Sequence, residues 1–374
     1  MAGALEGLLV ISVEQAVAAP YCAARLADAG ARVIKIERPE GDFARGYDTH
    51  IRGDSAYFVF LNRGKESVCL DFKRPDDLAM LRRMIGKADV LIQNLSPGAA
   101  TRAGFGADAM RALNPRLITV DISGYGDFGP YEHRRAYDLL VQAESGLASI
   151  TGSHHAAGRV GISATDIGTG MYAHAAVLEA LIKRGVTGKG SHVELSLFSA
   201  MAEWMAIPLM SWEYNQYDWP RLGLTHPFIA PYGVYPTSDA VPILISIQND
   251  KEWARLCTGV LDRSDMIADP KFASGVARNA IRDETNAIVA AVFGRHTWES
   301  ITPKLEAAQI AYARVSTVRD LGTHPQVRRT TIDTDKGEIS LPALAATIDR
   351  TVTPLGKVPA LGEHSAKIRA EFAA

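Results

Sequence analysis

Cysteine is scarce: Cys22, Cys69 and Cys257 are far apart and odd in number. That excludes a disulfide-built scaffold and a cysteine-rich metal site, and it fits a reducing compartment with buried thiols. No apolar run reaches the ~18 residues that a membrane span needs. The N-terminus lacks the basic head and cleavage site of a secretory signal, so a cytoplasmic location is expected. Charge of one sign is also missing. The 40 Lys and Arg nearly balance the 42 Asp and Glu, and the net charge of −2 makes no case for a nucleic-acid or membrane-surface partner. The turn Val13 to Pro20, after the first strand, has no G-x-G-x-x-G, which argues against nicotinamide chemistry. There is no G-x-S-x-G elbow for a serine hydrolase. The histidines form no H-x-x-x-H pair, and the adjacent His154 and His155 point apart, so no metal is expected. Gly185 to Ser191 is out of register for a phosphate-binding loop and precedes a strand instead of following one.

The chain has 374 residues, enough for two domains at about 150 residues each. Its 47% hydrophobic and 22% charged residues are ordinary for a globular protein with a large core. Short apolar runs at 8–12, 31–37, 67–71, 89–94, 117–123 and 191–197 read as strands. Helical spacing at 18–29 and 76–87 separates several of them. Strand and helix in alternation imply an α/β fold with a parallel sheet. Ligands bind such sheets beyond the strand C-terminal ends, where Asn94 and Ser96-Pro97-Gly98 fall. A helix over 198–210 is apolar on nearly every side and should be buried. Aromatic and turn-rich composition near 220 marks a boundary. The expected domains are 1–220 with 322–374, a large Rossmann-like unit, and 221–321, a smaller α+β unit.

The stretch Gly161-Ile-Ser-Ala-Thr-Asp-Ile-Gly-Thr-Gly-Met171 places one acid, Asp166, at or just before a helix start. Unpaired N–H groups and the helix dipole there favour an ionised carboxylate. Two readings stay open from spacing alone: an ordinary Asp N-cap, or a carboxylate nucleophile at the floor of a pocket, with Gly168 and Gly170 allowing close approach.

Several short motifs occur together: Ala18-Ala-Pro20, Val33-Ile-Lys-Ile-Glu-Arg38, Asn62-Arg-Gly-Lys65, Gln93-Asn94 with Pro97-Gly98, Ala136-Tyr-Asp138, Asp166 with Gly168-Thr-Gly-Met171, Thr187-Gly-Lys-Gly190 and Leu361-Gly-Glu-His364. With them the chain resembles the family III CoA-transferases, the group of formyl-CoA, carnitine and dicarboxylate CoA-transferases. The Asn62 to Lys65 context looks like the dicarboxylate branch. The resemblance implies an interlocked homodimer and Asp166 as the nucleophile. It places coenzyme A, as co-substrate, against Gln15, Ala16, Val17, Ala18, Arg38, Leu70, Asn94, Arg102, Arg135 and Tyr137. Arg38, Arg102 and Arg135 would answer phosphates, since guanidinium forks suit them. It places Arg45, Arg52, Tyr57 and His226 near the acyl group, where cations suit a second carboxylate. The region His226 to Tyr235 lacks the glycine-rich loop of the formyl-CoA members, and Gln15 stands where some members have His; the acyl group is thus left open.

The chemistry implied is transfer of CoA between carboxylic acids through an aspartyl anhydride and an aspartyl–CoA thioester. An Asp at its ordinary pKa of ~3.9 needs no general base for this. Backbone N–H groups near Gly168 are expected to meet the oxyanions. Succinyl-CoA is the expected donor and mesaconate, itaconate, malate or citramalate the acceptor, or CoA moves within mesaconyl-CoA. One alternative is an α-methylacyl-CoA racemase of the same fold. Tyr137 stands where racemases carry His, and a phenol is a poor base at pH 7. A non-catalytic CoA-binding protein is another alternative.

Overall fold

A computed structural model describes residues 3–373. The chain forms two compact units: residues up to 148 with 159–214 and 328 onward, and 149–158 with 215–327. The segment 149–158 belongs with the second unit. There Arg221 donates to the Ser149 and Ser153 carbonyls, and Gly223 N–H donates to Gly152 O.

The first unit is built on six parallel strands: β1 (Leu9–Val13), β2 (Arg32–Glu37), β3 (Lys65–Cys69), β4 (Val90–Gln93), β5 (Ile118–Ser123) and β6 (His192–Ser196), in the order β3-β2-β1-β4-β5-β6. This is the α/β sheet expected from the alternation of strand and helix. Apolar residues occupy both faces, as a sheet covered on both sides requires. Val10, Val33, Val90, Ile92 and Val120 face Cys22, Leu26, Ala173, Val177 and Met201. Ile11, Ile34, Leu91 and Val68 face Leu81, Met84, Ile85 and Phe105, and Ile368 and Phe372 complete that layer from the far end of the chain.

Three helices place the site. The helix α1 (Ala18–Asp28) follows β1, α2 (Asp138–Glu144) follows β5, and α3 (Ala164–Thr187) runs into β6. α3 lies against α1 at Gly170, where an added Cβ would sit 2.7 Å from the Ala18 carbonyl oxygen; only glycine permits that approach.

The apolar stretch after β6 departs from expectation in two ways. It breaks at Met205 into α4 (Leu197–Trp204) and α5 (Ala206–Asn215), and α5 has no buried residue. Ile207, Leu209, Met210 and Trp212 are at least half exposed. Among the described residues none of this helix is fully buried, so its apolar sequence lies outside the cores of the single chain.

The second unit has a three-stranded antiparallel sheet, Tyr232–Pro236, Pro242–Ser246 and Tyr312–Arg314, with helices packed on Ile243, Ile245, Trp253, Val289 and Phe293.

Candidate active site

Asp166 is the third residue of α3 and points into a cavity of about 420 Å³. The walls come from the C-terminal ends of the sheet strands: Gln15, Ala16 and Ala18 after β1, Asn94 to Pro97 after β4, Ser123 and Gly124 after β5, and Leu197 after β6. Phe43, Tyr47, His133, Arg134, Arg135 and Tyr137 also line it.

Neither sequence-based picture of the Asp166 charge survives intact. The N-cap position is held by Ser163, not Asp166. The first N–H groups of α3 go elsewhere: Thr165 and Asp166 N–H donate to Asp138 Oδ1 at 2.8 and 3.4 Å. Asp138 therefore takes the helix terminus that was expected to hold Asp166 ionised. The Asp166 carboxylate makes no hydrogen bond or ion pair among the described residues. Burial, and then the Asp138 charge, push its pKa up from 3.8 to about 7. The expectation of an Asp at its ordinary pKa is thus corrected.

Asp138 is itself buried and held. Its Oδ2 accepts from Gln142 Nε2 at 2.7 Å, and Gln142 Oε1 accepts from Val160 N–H at 2.9 Å. This clamp fixes the loop that leads into α3. Sequence reasoning passed over Asp138 and Gln142, although Asp138 closes the Ala136-Tyr-Asp138 motif; nothing in the spacing brings it to a helix start 28 residues on. Tyr47 was missed too. It lines the cavity edge-on to Tyr57 at 5.5 Å, and Tyr57 OH lies 3.3 Å from Ser163 Oγ. Burial first, then the Asp42 and Asp166 charges, push the Tyr47 phenol to about 12, so it stays a donor.

The expected oxyanion donors near Gly168 do not face the cavity. Gly168 is the fifth residue of α3, past the free N–H groups of the first turn, and an added Cβ would meet the Trp204 ring at 2.8 Å. Gly168 and Gly170 serve packing.

Of the expected CoA residues, Gln15, Ala16, Ala18, Asn94, Arg135 and Tyr137 share the Asp166 cavity. Arg38 and Leu70 line a second cavity of about 450 Å³, which shares Gln15 and Leu95 with the first. Asn94 fixes the loop after β1: its Oδ1 accepts from Gln15 N–H at 3.0 Å and its Nδ2 donates to Gln15 O at 2.8 Å. Val17 is buried at the N-cap of α1, and Arg102 is exposed beside Gly98; neither lines these cavities.

The expected acyl-site residues Arg45, Arg52 and His226 each have partners within their own unit. Arg45 forks the buried Glu37 through Nε at 2.9 Å and Nη2 at 2.7 Å and covers the Phe58 ring at 3.7 Å. Arg52 is exposed and donates to Lys336 O at 3.0 Å. His226 lies in the second unit, stacked on Tyr232 at 5.4 Å, with its Nδ1 accepting from Phe228 N–H.

Burial alone would raise the Glu37 pKa; the Arg45 fork, the Lys35 charge and Ser67 hold it at about 2 instead. Arg45→Met is expected to lower stability by about 3 kcal/mol at pH 7, the low end for a broken buried pair because Arg45 is partly open. A depressed carboxylate stabilises above its unfolded pKa and loses that contribution as pH falls toward 2. The deficit should therefore shrink at pH 3 in denaturant titrations. A raised acceptor KM with unchanged stability would assign Arg45 to the substrate instead.

Residues 5–365 match the model of CoA-transferase family III. The chain belongs to that family. Acetyl-CoA:oxalate CoA-transferase of Acetobacter aceti is 33% identical over all of this chain and 96% of its own length. Succinate–glutarate CoA-transferase of Agrobacterium fabrum is 32% identical over 98% of this chain and 95% of its own. The crystal structure of a CAIB/BAIF family protein from Brucella suis superposes with a TM-score of 0.86 at 32% identity, covering both chains completely. This CoA-transferase is thus similar along its whole length to enzymes named for short dicarboxylic acids. Among its described residues no helix is long and apolar enough to cross a membrane.

Proposed function

We propose that this CoA-transferase moves CoA from succinyl-CoA to a short dicarboxylic acid, with Asp166 as the covalent carrier. The observation that carries the reading is the lone, unpaired Asp166 carboxylate in a cavity at the C-terminal edge of the sheet. The ionised carboxylate attacks the thioester carbonyl; the C–S bond breaks, and a mixed anhydride and CoA thiolate result. The thiolate attacks the aspartyl carbonyl, releasing the first acid and leaving an Asp166–CoA thioester. The acceptor carboxylate attacks that thioester and the two steps run in reverse, so no water enters the balance. The Tyr47 hydroxyl, protonated and on the cavity wall, is the donor we assign to the tetrahedral oxyanions in place of Gly168.

The acceptor class rests on the relatives, which besides the two above include succinyl-CoA–D-citramalate CoA-transferase of Chloroflexus aurantiacus, 29% identical. Arg134 and Arg135 are cations on the cavity wall for CoA phosphate or a second carboxylate. We also propose a homodimer, since the open apolar face of α5 calls for a partner surface; a single-chain mass by light scattering would refute it. The transfer itself is tested by trapping with hydroxylamine and locating the adduct by mass spectrometry, and by a matrix of donors against acceptors. An adduct elsewhere than Asp166, or activity with monocarboxylates alone, would overturn the respective part. Deuterium entering the α-carbon of a 2-methylacyl-CoA with no acceptor present would point to the racemase reaction instead.

A further inference from the structure

We propose that Asp42 is a positioning residue for the transfer, tying together two segments of the Asp166 cavity wall from one buried carboxylate. This rests on the Asp166 reading. Asp42 is 4% exposed; it is absent from the Asp166 cavity lining and borders the second cavity. Its Oδ1 accepts from Ala16 N–H at 3.2 Å and from Ala44 N–H at 2.9 Å; its Oδ2 accepts from Lys35 Nζ at 2.8 Å. Its own N–H donates to Glu37 Oε2 at 3.1 Å.

The two N–H groups that share Oδ1 lead to different walls. Ala16 lies on the β1 side, at φ +64, a left-handed conformation that an alanine holds only when its surroundings insist. Ala44 belongs to the short turn Phe43–Gly46, which brings Phe43 and Tyr47 to the cavity lining. A turn of this kind needs only one side-chain oxygen as its cap, and a serine would supply it. The Ala16 and Lys35 contacts exceed that need.

Lys35 explains how the carboxylate stays put. It projects from β2, is fully buried, and also faces Glu14 Oε1 at 3.4 Å; Glu14 in turn takes Lys65. Two buried lysines thus balance Glu14 and Asp42, and no member moves without stranding a charge. The ion cluster under the sheet edge turns a flexible loop end into a fixed wall.

The test uses the full-length enzyme with Asp42→Ser, which keeps the cap and cuts the other links. Since a small misplacement of reacting groups slows a reaction about 10²-fold, kcat is expected to fall by that order while the donor KM changes less than about threefold. Amide hydrogen exchange should quicken over residues 14–17 and stay unchanged in β4 and β5. Adding Ala16→Gly, which tolerates φ +64 without the tether, should recover about tenfold of the lost kcat. Wild-type kcat in Asp42→Ser, unchanged exchange over 14–17, exchange rising throughout the sheet, or no recovery with Ala16→Gly would each overturn the proposal. If Asp42→Ser does not fold, the double variant Asp42→Ser with Lys35→Met, which leaves no stranded ammonium and keeps the Glu14–Lys65 pair, carries the same readings. Hydroxylamine trapping on the wild-type enzyme is read separately; a missing Asp166 adduct would remove the nucleophile and leave the exchange result standing.

Discussion

Asp166→Asn is expected to abolish turnover and to make the protein more stable. Loss of a covalent nucleophile should lower kcat by at least about 10⁴-fold, since residual rates after such removals come from binding alone. The hydroxylamine-trapped adduct should vanish while acyl-CoA still binds, as isothermal titration would read. The stability gain follows from the raised pKa. Below pH 3.8 the carboxyl is protonated both folded and unfolded, and folding is indifferent to it. Above about 7 the unfolded chain ionises it freely, whereas the folded protein must hold a charge that burial and Asp138 oppose. That penalty is at most ~4 kcal/mol from 1.36 kcal/mol per pH unit; with the side chain partly open to the cavity, about 1–2 kcal/mol is expected. The melting temperature of Asp166→Asn should exceed that of the wild type at pH 8 and match it near pH 4. A fold weakened at pH 8 would show that Asp166 is structural, as a cap would be.

The second large effect concerns Asp138. With the Asp166 pKa near 7, wild-type kcat/KM should rise through that pH, standing at about a tenth of its plateau at pH 6. Asp138→Asn removes the like charge, so the rise should move to lower pH. The plateau should fall by roughly 10- to 100-fold, because an amide at position 138 turns an N–H toward Gln142 Nε2 and disturbs the clamp on Val160. Gln142→Met separates the two effects: it breaks the clamp and keeps the charge, so its plateau should drop while the pH midpoint stays near 7. An unmoved midpoint in Asp138→Asn would exclude Asp138 as a source of the perturbation.

Strand and helix alternation was plain in the sequence, because the inner strands β1, β2, β4 and β5 are short runs rich in apolar residues and are buried on both faces. The runs at 8–12, 31–37 and 191–197 correspond to β1, β2 and β6 within a residue or so. Asp166 stood out as the one acid among small residues. Its protonation did not, because that depends first on burial in the cavity and then on Asp138, which reaches it through a loop whose path no local pattern encodes. Arg45 and Glu37 illustrate the converse. A cation in a polar stretch looks available to substrate, and only the fold reveals the buried carboxylate that claims it. The α5 helix misled for a further reason: apolar composition predicts that a surface will be covered, without saying whether the cover comes from the same chain.

The last helix, Ser365–Glu371, has a bearing on biosynthesis. Ile368 and Phe372 cap a layer that includes Ile11 and Ile34, so these strands wait until residue 372 has emerged before that side is sealed. A ribosome adding about 5–20 residues per second leaves this greasy side bare for tens of seconds. Nascent chains should therefore engage chaperones, and a stop codon ahead of Ser365 should yield insoluble product; a soluble, monodisperse truncation would show that the layer closes without its final turn.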